Sequence, residues 1–398
     1  MLLKNGNVVT TYEILKNTDV CIEKGMISGI GTFDPIADET VVDATGLYVC
    51  PGFVDIHTHG GFGGDFMDAT EDAFAAACAF HAQNGTTALL ATSVTAPVDQ
   101  ITDMLDTLRK FQQKQRTAVL NRAPVTRVLG AHIEGPYISY KNKGAQHESY
   151  LRVPARDDYS FLMENRDVVK TVTIAPELDG AAKMAADLTA CGIKVCGGHD
   201  DGRRDLILPV IDAGLSHCTH LWCAMSTVAM REGVRSVGLV ELGLVDDRLT
   251  VELIADNHHI TPDMVRLVYR CKGADKICVV SDCLRAGGKP ADGTLYTLGT
   301  VKDPNAQKFI VSDGVARLPD GSRYAGSIQP VSQMVRNLIC DCGIPIVDAV
   351  RMGSHTPAKI IGVQNELGSV SVGKRADFCL MDTGFKVVQT FIDGNPVI

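Results

Sequence analysis

Apolar runs of five to seven residues alternate with amphipathic stretches through the middle of the chain. Most of these runs are followed by a helical pattern that ends at a glycine, as in EDAFAAACAFHAQNG at residues 71–85. A glycine just past the last periodic residue is typical of a helix C-terminus. Eight runs follow this scheme, at residues 53–57, 87–92, 127–133, 171–176, 193–199, 215–220, 250–256 and 276–282. Eight buried strands separated by helices predict an α/β protein with a closed parallel (β/α)8 barrel of the TIM type.

Both ends of the chain show a different pattern, with short alternating strands and turns rich in glycine and asparagine. No helical period appears in the first fifty residues, and the last forty return to the same style. We therefore expect the two ends to pair in one small β domain. The predicted division is a β domain of residues 1–50 and 357–398 and a barrel of residues 51–356, with a hairpin-rich insertion at residues 284–326.

Composition limits the classes of function. The apolar fraction is 45% and the charged fraction is 21%, both ordinary values for a globular protein. A formal net charge of -9 argues against nucleic-acid binding, which needs a basic face. The opening residues lack the apolar core of a signal peptide and no apolar run is long enough to span a membrane, so we expect a cytoplasmic protein without a membrane contact. The 13 scattered cysteines indicate reduced thiols rather than a disulfide framework.

Polar side chains follow several of the predicted strands at the point where each strand ends. In a parallel barrel these ends converge on one mouth, where the chemistry takes place. His57 and His59 are two residues apart, so the pleat turns both side chains to the same side. A glycine and a proline follow Glu134 and leave its carboxylate at the tip of the third strand. The fifth, sixth and eighth strands are predicted to end in His199, His220 and Asp282.

Four imidazoles and two carboxylates around one opening indicate a metal centre. A carboxylate can bridge two metal ions, and Glu134 is the candidate for that role. Mixed imidazole and carboxylate ligation suits Zn²⁺, and Fe²⁺, Mn²⁺ or Co²⁺ can use the same donors. We therefore predict a divalent metal site with two ions per subunit, held by His57, His59, Glu134, His199 and His220.

The remaining histidines differ in their predicted roles. His258 and His259 follow the seventh strand, and we expect His259 to face the substrate. His132 lies inside the third strand, where it could line the mouth, although packing is the preferred interpretation. The others that we interpret as structural are His81, His217 and His355.

The motifs PGFVDIHTHG near the start and LGSVSVGKRADFCLMD near the end resemble the flanking signatures of the amidohydrolase superfamily. More narrowly, the chain resembles N-acetylglucosamine-6-phosphate deacetylases in segments that run in family order through almost the whole sequence. These segments are HIEGPYIS with KGAQ, APE, GGHD, THLWCAM, IADNHHI and VVSDCLRAGG. The resemblance implies a barrel with a small β-sandwich formed by both termini, and a homodimer.

The resemblance also implies a metal-dependent reaction, the hydrolysis of N-acetylglucosamine-6-phosphate to glucosamine-6-phosphate and acetate. Glu134, His199 and His220 match the ligands found throughout the family. His57 and His59 match the pair present only in its two-metal members.

Other positions match residues that act on the substrate in the family. Asp282 matches the group that takes a proton from the attacking water and passes it to the leaving amine. The positions that match substrate contacts are Gln146, Cys223, Ala224, Arg231 and His259, and the arginine usually reaches in from the partner subunit.

Four departures from the family pattern all lie on the substrate side and leave the sugar and its phosphate open. Cys223 replaces an asparagine, Gln146 replaces a frequent histidine, and the usual Arg-Glu-Pro-Gly is shortened after Arg231. Residues 325–328 read Ala-Gly-Ser-Ile instead of Ser-Gly-Ser-Ser. One alternative is a hydrolase of the same fold that acts on a different N-acyl sugar, a cyclic amide or a nucleobase. The other is a non-catalytic barrel scaffold, which would lack metal ligands.

Overall fold

The computed structural model describes residues 1–117 and 125–397, with all side chains in these ranges except those of Thr117, Arg156, Asp157 and Arg231. The chain opens with five strands: β1 (Leu2–Val9), β2 (Ile14–Glu23), β3 (Met26–Gly31), β4 (Val41–Asp43) and β5 (Tyr48–Pro51).

Strands and helices then alternate as far as residue 279. The strands are β6 (Phe53–Thr58), β7 (Gly60–Gly61), β8 (Gly64–Asp65), β9 (Thr86–Thr92), β10 (Arg127–Glu134), β11 (Val169–Ile174), β12 (Lys194–Gly197), β13 (Leu215–Cys218), β14 (Ala229–Arg231), β15 (Val234–Ser236), β16 (Thr250–Leu253) and β17 (Ile277–Val279). The helices are α1 (Glu71–Gln83), α2 (Val98–Thr117), α3 (Arg156–Glu164), α4 (Ala181–Ala190), α5 (Arg204–Asp212), α6 (Leu239–Val245) and α7 (Pro262–Lys272).

The first barrel helix illustrates how the sequence sets its own limits. The side chain of Thr70 accepts a hydrogen bond from the backbone N–H of Ala73 and so caps the start of α1. Glu71 and Asp72 place negative charge beside the positive end of the helix dipole. After the helix, Gly85 has a φ of 88°, which a residue with a side chain rarely adopts, and the chain turns into β9.

Eight strands form one parallel sheet in the order β6-β9-β10-β11-β12-β13-β16-β17. The last strand meets the first through backbone hydrogen bonds just beyond the strand ends. The N–H of Asp282 donates to the carbonyl of His57 at 2.9 Å, and the N–H groups of His59 and Gly60 donate to the carbonyl of Cys283. The predicted α/β barrel is confirmed.

All eight predicted strands are present, but five of them end earlier than predicted, three of them close to candidate site residues. The strands β12, β13 and β17 stop just before His199, His220 and Asp282. These three residues have φ values of 49°, 26° and 45°, and a positive φ interrupts the pleat of an L-residue strand. Each side chain therefore lies on a loop at the barrel mouth. Such conformations cost energy and are concentrated at functional sites.

The chain continues into a small antiparallel sheet and then into helices. The sheet strands are β18 (Leu295–Thr297), β19 (Lys308–Ser312), β20 (Val315–Arg317) and β21 (Tyr324–Gly326), in that order. This sheet occupies the predicted hairpin-rich insertion. The later elements are α8 (Val331–Cys340), α9 (Ile346–Gly353), α10 (His355–Ile360), β22 (Phe378–Met381), β23 (Val387–Ile392) and β24 (Asn395–Pro396).

Strands from both ends of the chain form a second large sheet in the order β24-β23-β22-β5-β1-β2-β3, with β4 paired to β1. The two ends join where β22 runs antiparallel to β5 and Phe378 lies opposite Pro51. The sheet has its own buried cluster, in which the rings of Phe378 and Phe391 stack with centroids 4.7 Å apart. The domain boundaries at residues 50/51 and 356/357 remain a prediction.

Within residues 1–117 and 125–397, no helix has both the length and the apolar character needed to cross a membrane.

Arg127, at the start of β10, connects the barrel to this terminal sheet. Its guanidinium donates to Asp377 at 2.7 Å and to Asp393 at 2.9 Å, while only 20% of its side chain is exposed. We expect Arg127→Gln to destabilise the protein by roughly 2–3 kcal/mol, because two carboxylates lose a charged partner. The midpoint of thermal unfolding should fall by roughly 3 °C.

The matched control for this prediction is Arg248→Gln. Arg248 makes ion pairs with Asp212 and Asp246, but its side chain is half exposed. Exposed pairs contribute about 0–1 kcal/mol, so the control should unfold close to wild type. Equal shifts for the two variants would contradict a linking role for Arg127.

Candidate metal centre

Glu134 lies at the end of β10 and is buried at the centre of a group of imidazoles. Its Oε1 is 3.1 Å from Nε2 of His199, 3.0 Å from Nε2 of His220 and 3.5 Å from Nε2 of His57. Its Oε2 is 3.5 Å from Nε2 of His59. The structure therefore brings the five residues that were predicted as metal ligands together around one carboxylate.

Asp282 contacts the same histidine pair as Glu134. Its Oδ1 is 3.1 Å from Nε2 of His59 and 3.6 Å from Nε2 of His57. Two sets of donors at the mouth have all their ligand atoms within 4.8 Å of one another: His57 with His59 and Asp282, and His57 with Glu134 and His220. The two sets share His57, so the barrel mouth contains neighbouring positions for a cation.

The donor atoms fit a divalent cation in both spacing and chemistry. Ligands bound about 2.0–2.1 Å from one zinc ion, at angles between square and tetrahedral, lie roughly 3.0–3.4 Å apart. The contacts of Glu134 with His199 and His220, at 3.1 and 3.0 Å, match this spacing. The buried Nε2 of His57 has no hydrogen-bond partner in the described part of the chain, although it faces two carboxylates.

Glu252 in β16 holds the histidines from behind. It is buried, its Oε2 lies 3.0 Å from Nδ1 of His57, and the same oxygen accepts the backbone N–H of His220 at 3.1 Å. Its Oε1 lies 3.0 Å from Nε2 of His217. An ionised carboxylate can only accept, so Nδ1 of His57 carries a hydrogen and Nε2 is the atom turned toward Glu134 and Asp282.

Sequence reasoning missed Glu252. A charged residue within the short apolar strand TVEL was the available indication, because such a residue has to be paired where the strand is buried.

The electric charges in this site oppose the effect of burial. Burial disfavours the charged imidazole of His57, but Glu134 and Glu252 outweigh it and raise the pKa of His57 to about 10. Burial also disfavours the Glu134 carboxylate, yet the charge of His57 helps to hold its pKa well below the usual value. The pKa of Asp282 is lowered in spite of burial by the hydrogen bond and charge of His59. A metal-ligating imidazole must be unprotonated, so cation binding at His57 is coupled to proton release.

Two further buried histidines lie behind the site. Nε2 of His132 is 2.7 Å from Oγ1 of Thr173, and Nε2 of His81 is 2.9 Å from Oγ1 of Thr58. Burial lowers the pKa of His132 to about 3 and that of His81 to about 4, so both imidazoles are neutral at pH 7.

Four of the five candidate ligands line a cavity of about 440 Å³ at the barrel mouth, and the fifth, His57, is fully buried. The predicted substrate contacts that also line this cavity are Gln146, Cys223, Ala224 and His259. The side chain of Arg231, the fifth predicted contact, lies outside the described residues. Lining residues that sequence analysis did not single out are Lys141, Asn142, Trp222, Arg323 and Tyr324. The last two come from the insertion, where no pattern indicated which hairpin end would face the mouth.

The cavity wall carries polar groups that suit an anionic ligand. Nδ1 of His259 lies 2.8 Å from Oδ2 of Asp256, so Nε2 is the ring atom left for a ligand. The guanidinium of Arg323 lines the cavity and donates to the carbonyl of Gly144 at 3.2 Å through one N–H of Nη1. Most of its N–H groups are therefore available, and guanidinium groups bind phosphate well.

The chain matches the model of the amidohydrolase family over residues 48–397. The protein therefore belongs to the amidohydrolase family and is a hydrolase. Enzymes of this family depend on metal ions, in agreement with the cluster of imidazoles and carboxylates at the barrel mouth.

Its relatives include amino sugar phosphate deacetylases. The chain is 32% identical to N-acetylglucosamine-6-phosphate deacetylase from Bacillus subtilis (strain 168), over 99% of this chain and 96% of the relative. It is 31% identical to N-acetylgalactosamine-6-phosphate deacetylase from Escherichia coli O157:H7, over 99% and 98%. A similar structure is a mutant N-acetyl-D-glucosamine-6-phosphate deacetylase from Mycobacterium smegmatis in complex with N-acetyl-D-glucosamine-6-phosphate. It is 30% identical, covers 100% of this chain and 99% of its own, and has a TM-score of 0.88.

Metal binding can be tested without an activity assay. We expect Zn²⁺ to raise the thermal unfolding midpoint of chelator-treated wild type, since a ligand at 100 times its Kd stabilises a protein by about 2.7 kcal/mol. Glu134→Gln should lose most of this rise, because the amide is a poor substitute for the anionic ligand. The control is Glu366→Gln, a change of an exposed carboxylate. An undiminished rise in Glu134→Gln would show that the cation binds elsewhere.

Proposed function

We propose that the protein hydrolyses the N-acetyl amide of an amino sugar 6-phosphate, with N-acetylglucosamine-6-phosphate as the main substrate. One observation carries the proposal: a single cavity is lined by four of the candidate metal ligands, by Asp282 and by an arginine with available donors. Full-length similarity to deacetylases of two amino sugar phosphates supports the same reaction.

We propose that the site holds two divalent cations, zinc by preference, bound by His57, His59, Glu134, His199 and His220. A bound divalent cation acidifies water and polarises a carbonyl oxygen. The spacing of the imidazole and carboxylate donors, at 3.0–3.5 Å around Glu134, supports this ligand set. Imidazole nitrogen and carboxylate oxygen are ligands that suit zinc, and Fe²⁺, Mn²⁺ or Co²⁺ can occupy such a site.

Asp282 is the proposed acid and base of the reaction. Its carboxylate accepts a proton as the water oxygen forms a bond to the acetamide carbon. When the carbon–nitrogen bond breaks, Asp282 donates this proton to the leaving nitrogen, and the products are acetate and the free amino sugar phosphate. The lowered pKa of Asp282 supports the base role, because the carboxylate is ionised at pH 7 before the water is deprotonated.

The phosphate of the substrate is proposed to lie near Arg323 and His259, which both line the cavity. Arg231, Cys223 and Ala224 remain predicted substrate contacts. The departures of this chain from the family pattern lie at substrate contacts. The experiment therefore compares gluco- and galacto-configured sugars.

We also propose that the enzyme is a cytoplasmic homodimer. The hairpin of β14 and β15 supports a subunit contact near the cavity, because Met230 and Val234 are 61% and 67% exposed. The 13 free cysteines support a reducing compartment. Light scattering on the purified protein tests the dimer, and a mass equal to one chain would contradict it.

The substrate is tested by measuring acetate release from N-acetylglucosamine and N-acetylgalactosamine, each with and without a 6-phosphate. We expect N-acetylglucosamine-6-phosphate to give the highest kcat/KM. No release from any of the four compounds, together with turnover of a nucleobase or a cyclic amide, would replace the proposal with the alternative amidohydrolase reaction. Absence of turnover on all of these with a metal-loaded protein would favour a scaffold.

Asp282→Asn should lower kcat by roughly 10²–10⁴-fold, because the amide can neither accept nor deliver the proton. Metal content and substrate affinity should stay close to wild type. The control is Asp313→Asn, a change of an exposed carboxylate on the insertion sheet. A kcat within a few fold of wild type in Asp282→Asn would remove this residue from the proposed acid–base role.

Arg323→Gln should raise KM for the 6-phosphate sugar by roughly 10-fold and change KM for the unphosphorylated sugar much less, because a charged hydrogen bond contributes about 1.5–3 kcal/mol. The control is Arg270→Gln, which alters an exposed arginine of α7. Equal changes of KM for both sugars would place the phosphate away from Arg323.

A further inference from the structure

Gln146 was predicted to contact the substrate, but the structure shows its side-chain amide bonded to groups within the protein. Its side chain is buried, with 7% of the residue exposed, and both ends of its amide are hydrogen-bonded within the protein. Nε2 donates to Oε2 of Glu134 at 2.8 Å, and Oε1 accepts the backbone N–H of Thr95 at 2.8 Å. The amide therefore bridges the loop after β9 to the carboxylate at the centre of the candidate metal site.

The orientation of this amide follows from its two partners. A backbone N–H can only donate, so the atom that faces Thr95 must be the carbonyl oxygen. The NH₂ group is then the end that faces Glu134, whose carboxylate is ionised and accepts. The opposite orientation would place two donors together at Thr95 and two acceptors together at Glu134. The contact is thus a charge-assisted hydrogen bond of fixed direction.

This hydrogen bond leaves the two oxygens of Glu134 with different surroundings. Oε1 faces Nε2 of His199 and His220, at 3.1 and 3.0 Å. Oε2 faces Nε2 of His59 at 3.5 Å and is held by Gln146. A partial rotation of the carboxylate plane about its last bond would move Oε2 away from Nε2 of Gln146 and weaken this hydrogen bond. The amide therefore opposes that rotation.

We propose that Gln146 is a positioning residue that orients the Glu134 carboxylate for metal binding. One oxygen is directed to the His199 and His220 side, and the other to the His59 side. The inference rests on the proposed metal centre and is independent of the substrate. The family resemblance implies instead that Gln146 contacts the substrate. In the structure the amide oxygen and one amide hydrogen are bonded inside the protein, so only one N–H is left for a ligand.

The test compares wild type with Gln146→Met, which keeps the length of the side chain and removes both hydrogen bonds. Metal-free proteins are titrated with Zn²⁺ in competition with a chromophoric chelator, and kcat and KM are measured at saturating Zn²⁺. We expect Zn²⁺ affinity to fall by about 10–100-fold, as is typical when a partner of a metal ligand is removed. KM at saturating Zn²⁺ should stay within about threefold of wild type, since substrate binding is not the function lost.

Two controls separate positioning from other effects. Gln389→Met changes a glutamine of β23 whose amide donates to the carbonyls of Thr390 and Val397, and it should leave Zn²⁺ affinity unchanged. Gln146→His, which restores a ring N–H donor, should recover part of the affinity, whereas a variant that only disturbs folding would not respond to the donor. Circular dichroism of the metal-free variants checks that each is folded.

The outcomes are distinct. Weakened Zn²⁺ binding by Gln146→Met with little change in KM supports the proposal. Unchanged Zn²⁺ affinity overturns it, and a large rise in KM in that case would identify Gln146 as a substrate contact. Wild type that binds no Zn²⁺ would overturn the metal centre as well. Wild type that binds Zn²⁺ but releases no acetate would reject the proposed substrate and leave the role of Gln146 intact.

Discussion

The need to balance buried negative charge organises the mouth of this barrel. Glu134, Glu252 and Asp282 are all buried there, and an isolated carboxylate in a dry interior costs several kcal/mol. These anions come from the third, seventh and eighth barrel strands or the residues just after them. The compensating imidazoles come from the first, fifth and sixth. Around Glu134 this charge compensation crosses the barrel, because it links the third strand to the first, fifth and sixth, which are not its neighbours in the sheet.

The need to balance buried charge also explains why these side chains have fixed orientations. Three groups at the mouth have a second partner that sets their direction: Glu252 for His57, the carbonyl of Asn142 for Nδ1 of His199, and Gln146 for Glu134. The backbone contributes as well, because the residues after three strands leave the pleat with a positive φ. A site whose donors are oriented before a ligand arrives loses less entropy on binding.

The barrel could be predicted from the sequence because the patterns that mark its strands and helices are local. Apolar runs, turn glycines and polar residues at strand ends predicted eight strands and the meeting of six side chains from distant segments. Contacts between segments were harder to predict. Glu252 was missed because its role depends on imidazoles from two other strands. Arg323 was missed because an antiparallel insertion can face the mouth or solvent with the same pattern of residues. The hydrogen bonds of Gln146 depend on a loop position that no periodicity specifies.

The pairing of β5 with β22 has a consequence for synthesis in the cell. The partner of β5 begins at residue 378, so ribosomes moving at about 5–20 residues per second deliver it tens of seconds after β5 has emerged. During that interval β5 presents an unsatisfied edge that can pair with another nascent chain. The terminal sheet can therefore close only after the whole barrel has been synthesised, and until then the edge of β5 is open to pairing with other chains.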